Sequence, residues 1–74
     1  MHRDLDCRGL LCPLPILQTR LALNTLTPGD TLQILVDDPG FLKDFPQFCQ
    51  LAQLSLRSET RLTPTLTALM VVVQ

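Results

Sequence analysis

Several things are scarce or missing in this sequence, and each absence removes a class of function. There is no Trp and no Tyr, and the aromatics are limited to Phe41, Phe45 and Phe48. The core must therefore be built from Leu, Ile and Val, which supply most of the 46% hydrophobic content. No run of Lys and Arg occurs and the formal net charge is -1. A nucleic-acid partner needs a basic face to neutralise phosphates, so direct nucleic-acid binding is not expected. No stretch approaches the ~20 apolar residues of a membrane span, and the longest apolar run, Ala68 to Val73, is the length of a strand. The N-terminal residues show no basic-then-apolar leader pattern, and the expectation is a cytoplasmic protein without a membrane partner. The cysteines number three, Cys7, Cys12 and Cys49. An odd count does not make a complete disulfide framework, and in a reducing compartment such residues are thiols.

The 74 residues amount to one domain, 1–74. A chain this short has no room for a large pocket with many converging groups. A reactive side chain on an exposed corner, serving a larger partner, suits it better.

Periodicity divides the chain into six elements. His2 to Cys7 alternates, with Leu5 and Cys7 opposite Asp4 and Asp6, which reads as a strand broken by Arg8-Gly9. Pro13 to Leu26 reads as an amphipathic helix with Leu14, Leu17 and Leu21 as its apolar stripe. Pro13 and Pro15 fit its first turn, where backbone N–H groups lack a partner within the helix. Thr27-Pro28-Gly29-Asp30 is a turn and Thr31 to Asp37 a strand. Phe41, Phe45, Phe48 and Ala52 predict a second helix over about 41–53, with Asp44 capping its regular part so that Pro46 falls in the first turn. Leu54 to Leu62 and Leu66 to Val73 read as a hairpin around Thr63-Pro64-Thr65. A strand-helix-strand unit favours parallel strands. The fold class expected is α+β: a two-layer α/β sandwich in βαβαββ order, a mixed four-stranded sheet with two helices on one face. Val71, Val72 and Val73 are apolar on both faces of their strand. That describes a central strand, or a partner surface on an open sheet face.

Cys12-Pro13-Leu14-Pro15 carries the chemistry. Cys12 lies at or next to the start of a helix, where free N–H groups and the helix dipole favour an anion. Helix N-termini lower thiol pKa values, and the thiolate is the nucleophile. The same place favours a persulfide anion. Sulfur transfer is related to thiol–disulfide exchange, in which one thiolate attacks and another leaves, and it needs little beyond one exposed cysteine. The prolines remove two N–H donors and hold Cys12 outward. The plain alternative is a small buried residue at a helix start.

Other residues have weaker readings. Cys49 sits in the Phe stripe and reads as core. Cys7 reads as a core strand residue, or as a resolving thiol for Cys12. A metal site from Cys7, Cys12, Cys49 and His2 matches none of the paired zinc spacings. Gly9 suits a positive φ before the loop. Arg8 is either a steering charge for an anionic persulfide or a solvated surface charge. Asp37-Asp38-Pro39-Gly40 reads as strand-ending turn chemistry rather than a general base.

The segment Leu5-Asp6-Cys7-Arg8-Gly9-Leu10-Leu11-Cys12-Pro13-Leu14-Pro15 resembles the signature of the TusA/SirA-like sulfur carriers. So do Thr19-Arg20, Ala22-Leu23, Pro28-Gly29-Asp30, Asp37-Asp38-Pro39 and Asp44-Phe45-Pro46-Gln47-Phe48-Cys49, which extend the likeness over nearly the whole chain. The resemblance implies the same two-layer fold. It implies that Cys12 accepts sulfur as a persulfide from a cysteine desulfurase and passes it to a downstream acceptor protein, in tRNA thiolation, molybdenum-cofactor or sulfur metabolism. The carrier of that family needs no cofactor; the desulfurase supplies pyridoxal phosphate. The chain departs from the family at Arg20, where Lys is frequent, at Cys7, and over Gln50 to Leu56, which lack a His. Two rival readings accompany the carrier: a regulatory protein-interaction module, and a Cys7/Cys12 thiol redox protein.

Overall fold

A computed structural model describes residues 1–74. The chain forms β1 (His2–Cys7), α1 (Leu14–Leu23), β2 (Thr31–Val36), α2 (Pro39–Ala52), β3 (Leu54–Arg61) and β4 (Thr67–Val73). The element order and the mixed four-stranded sheet are those expected, with strand order β1-β2-β4-β3. β1 and β2 are parallel, in a register running from His2 opposite Thr31 to Cys7 opposite Val36. β4 is antiparallel to both β2 and β3. The apolar β4 is thus an interior strand, flanked on both edges.

One face of the sheet is covered by the helices. In β2, Leu32, Ile34 and Val36 are fully buried while Thr31, Gln33 and Leu35 between them are half-buried. Strand side chains alternate between faces, so this pattern identifies the covered side. Leu69 and Val71 of β4 and Cys7 of β1 share the same core. α2 closes it with Phe41, Phe45 and Phe48, whose rings follow one another at centroid distances of 5.0 and 6.1 Å. Burying one such ring contributes about 1.5–3 kcal/mol. At the outer edge, β3 is largely exposed and carries a register shift between Leu56 and Ser58. An irregular edge strand discourages pairing with other chains.

The structure corrects two local expectations. α2 begins at Pro39 rather than after a cap at Asp44, because Asp38 caps it: its side chain accepts from the Gly40 N–H and Pro39 takes the first position. Pro46 therefore lies inside the helix, on its exposed side. Proline has no N–H to give to the carbonyl four residues back, so one helix bond is missing there.

The second correction concerns α1, which spans Leu14–Leu23 and is rotated from the expected phase. Its buried residues are Pro15, Thr19 and Ala22, while Leu14, Leu17 and Leu21 are exposed. Thr19 tolerates full burial because its Oγ1 donates to the Pro15 carbonyl at 2.8 Å. The small Thr19 and Ala22 let the helix lie close to the sheet, and Ile16 and Leu23 fill the flanks of the core. No helix is long and apolar enough to cross a membrane.

Candidate functional site

The site follows from the parallel pairing of β1 and β2. Cys7 and Val36 end those strands side by side. The loop after β1 and the Asp37-Asp38 pair after β2 therefore emerge together. In open α/β sheets, functional groups gather outside the carboxyl ends of parallel strands. The starts of both helices lie there as well, since each follows directly on one of these strands.

The loop Arg8–Pro13 is held by backbone bonds to these carboxylates. The Leu10 N–H donates to the Cys7 carbonyl at 3.2 Å, which turns the chain at the end of β1. Gly9 sits at φ 79°, a conformation that suits glycine. Its N–H donates to both Asp37 carboxylate oxygens, at 3.1 and 3.0 Å. The Cys12 N–H donates to Asp38 Oδ2 at 2.9 Å. The loop then enters α1: the Leu14 N–H reaches the Leu11 carbonyl and the Leu17 N–H the Pro13 carbonyl. The Cys12–Pro13 peptide is cis. Pro13 occupies the helix N-cap position without any side-chain cap, and Pro15 is buried against the core.

Cys12 is exposed, whereas Cys7 and Cys49 are buried; all three are free thiols. Burial pushes the Cys49 thiol up to about 11. Cys7 is raised by burial first and by the neighbouring Asp6 charge second. A buried thiol that resists ionisation is a poor nucleophile. Of the three thiols, only that of the loop residue Cys12 is open to solvent.

Arg8 is engaged at the base of the loop. Its Nε and one terminal nitrogen donate to the two Asp6 oxygens at 2.9 and 2.8 Å, and its backbone N–H also donates to Asp6. The side-chain bonds from Arg8, then its backbone bond, hold the Asp6 carboxyl down at about 2. The pair is solvent-exposed, so its part is to shape the turn rather than to add much stability. Arg20 lies over Phe48, with its guanidinium carbon 5.3 Å from the ring centroid, and so links α1 to α2.

His2 is remote from this end. It opens β1, which Cys7 closes, and its ring contacts Thr31 Oγ1 and Asp4. No group of three or more His, Cys, Asp or Glu side chains is arranged to hold a metal ion.

The residues that sequence reasoning missed here are Asp37 and Asp38. They do form the turn after β2, but they also hold the loop that carries Cys12. The available signal was the parallel pairing itself, which brings the residues after β1 next to those after β2.

Fold and site together define a class: a small two-layer α/β domain that presents one exposed thiol on an anchored loop at the start of a helix. The family model described as sulfurtransferase TusA matches residues 3–71, and the chain belongs to the TusA sulfurtransferase family, whose members relay sulfur with partner proteins. Among solved structures, a SirA-like protein from Desulfitobacterium hafniense superposes with a TM-score of 0.80. It shares 18% sequence identity, over 95% of this chain and 95% of that one. At that identity the likeness establishes the fold.

Proposed function

We propose that this protein is a sulfur carrier that holds sulfane sulfur as a persulfide on Cys12, taking it from a cysteine desulfurase and delivering it to an acceptor protein in the cytoplasm. The observation that carries this reading is the contrast among the thiols: Cys12 is exposed on an anchored loop, and Cys7 and Cys49 are buried.

The transfer needs one nucleophile. The Cys12 thiolate attacks the outer sulfur of a persulfide on the donor's cysteine. The donor's S–S bond breaks as the new S–S bond on Cys12 forms. The donor cysteine leaves as a thiolate, and no external oxidant or reductant is consumed. Delivery is the same exchange with Cys12 as the leaving group. The bonds from Cys12 N–H to Asp38 and from Gly9 N–H to Asp37 keep the loop in one conformation while both partners approach. Gly9 supplies the backbone turn, Pro13 and Pro15 the rigid start of α1, and Arg8 the turn's closure onto Asp6. Burial of Cys7 weighs against a Cys7/Cys12 redox couple.

The test is intact-protein mass spectrometry after incubation with a cysteine desulfurase and L-cysteine, with the reductant removed. Wild type and Cys49→Ala should gain the mass of one sulfur, lost again on adding a thiol. Cys12→Ser should gain none. Loading of Cys12→Ser would overturn the assignment.

A further inference from the structure

A small recess opens between the β3–β4 turn and the first turn of α2, with a volume of about 120 Å³. Pockets for drug-sized molecules run to roughly 300–1,000 Å³, so an occupant here is a single small group. The strand register assembles its polar wall. Arg61 of β3 pairs with Thr67 of β4, and Thr67 pairs with Val36 of β2. Val36 is a core residue, and directly opposed residues of neighbouring strands share a face. Arg61 and Thr67 therefore stand on the helix-covered side of the sheet. Pro39 and Leu42 of α2 close the recess from that side, and Thr65 closes it from the β3–β4 turn.

Two of these groups lack partners. Thr67 is only 4% exposed, yet its hydroxyl bonds to nothing in the protein, whereas the hydroxyl of buried Thr19 donates to Pro15. Buried polar groups are ordinarily paired. Every fully enclosed side-chain oxygen of this chain is paired, so the Thr67 hydroxyl opens onto the recess it lines. Arg61 takes part in none of the ion pairs, which join Met1 to Asp30, His2 to Asp4 and Arg8 to Asp6. Asp37 also lines the recess, but both its oxygens accept the Gly9 N–H of the β1 loop. Arg61 is thus the one charged lining side chain without a partner, and the start of α2 adds the positive end of its dipole.

We infer that this recess binds one tetrahedral oxyanion of the phosphate type, held by the Arg61 guanidinium and the Thr65 and Thr67 hydroxyls. A guanidinium fork takes two oxygens at once. A carboxylate would be used up by that fork. The two hydroxyls, one from the turn and one from the sheet, ask for further oxygens out of the fork's plane, which a tetrahedral ion has. Free phosphate and a phosphomonoester share this chemistry. The site does not include Cys12 and does not depend on the persulfide reading.

The test is an NMR titration of the ¹⁵N-labelled chain with sodium phosphate at pH 7, ionic strength being held constant with sodium chloride so that general screening does not change. Amide shifts should saturate and centre on Thr65, Leu66, Thr67 and the first turn of α2. Arg61→Gln should weaken binding roughly ten-fold or more, as loss of a charged bidentate donor does. Thr67→Val, which keeps the shape and removes the hydroxyl, should weaken it about three-fold. Should Thr67→Val fold poorly, the exposed Arg61 carries the test alone. O-phospho-L-serine should bind at the same residues, and the tighter of the two ligands names the source. Acetate that displaces phosphate at equal concentration overturns the tetrahedral ligand. Shifts that do not saturate, or that spread equally to Arg3, Arg20 and Arg57, overturn the site. So does equal phosphate affinity in Arg61→Gln and wild type.

Discussion

The backbone N–H of Cys12 donates to a carboxylate oxygen of Asp38, 26 residues further along the chain, at 2.9 Å. The same side chain accepts from the Gly40 N–H and caps α2. One carboxylate thus ties the Cys12 loop to the start of the second helix.

Asp38→Ala removes both bonds. Loss of the cap should cost about 1 kcal/mol, read as a lower urea midpoint with an unchanged m-value. The freed loop should slow desulfurase loading several-fold, since reacting groups held out of register lose rate steeply. Asp38→Asn, which retains a capping oxygen, should recover most of the stability. A normal loading rate in Asp38→Ala would mean that the bond does not position Cys12.

Gly9 occupies a positive φ with nothing within 4 Å of where a Cβ would stand. Gly9→Ala should therefore destabilise by strain alone, at about 1–2 kcal/mol. Gly9→Asn should cost less, because Asn enters this region more readily. Equal thermal midpoints for Gly9→Ala and wild type would contradict the geometry.

The three thiols should separate in reactivity. At pH 8 iodoacetamide should label Cys12 rapidly, and Cys7 and Cys49 only after urea is added, as peptide mass mapping would show. The raised value of Cys49 also sets a pH dependence. In the folded chain it ionises near 11, and in the unfolded chain near 9.0. Its contribution to stability is complete below 9 and is lost as the pH rises from 9 toward 11. Cys49→Ala should flatten the alkaline decline in chemical-denaturation profiles over that window.

Asp6 titrates in the opposite sense. Its folded value of about 2 lies below the ordinary 3.8, so the ion pair with Arg8 is intact above 3.8 and is lost as the pH falls through about 2. An NMR titration of the Asp6 carboxyl should show that low midpoint. In Arg8→Gln it should return toward the ordinary value, because the side-chain bonds from Arg8 are its largest cause. Both groups are exposed, so the global melting temperature should barely move.

The sequence by itself determined the element order, the Phe41–Phe45–Phe48 face of α2, the Gly9 turn and the place of Cys12 at the head of a proline-led helix. These are local matters, settled by periodicity over a few residues or by backbone sterics at one position. Tertiary structure decided the rest. α1 is apolar nearly all round, so its leucine stripe and its Pro15–Thr19–Ala22 stripe were both eligible for the core. The face that allows close approach to the sheet won, and the leucines were left outside. Asp37 and Asp38 read as turn residues because their partners, Gly9 and Cys12, lie far away along the chain. Only the parallel pairing of β1 with β2, which ends Cys7 beside Val36, brings those carboxylates under the loop that carries the thiol.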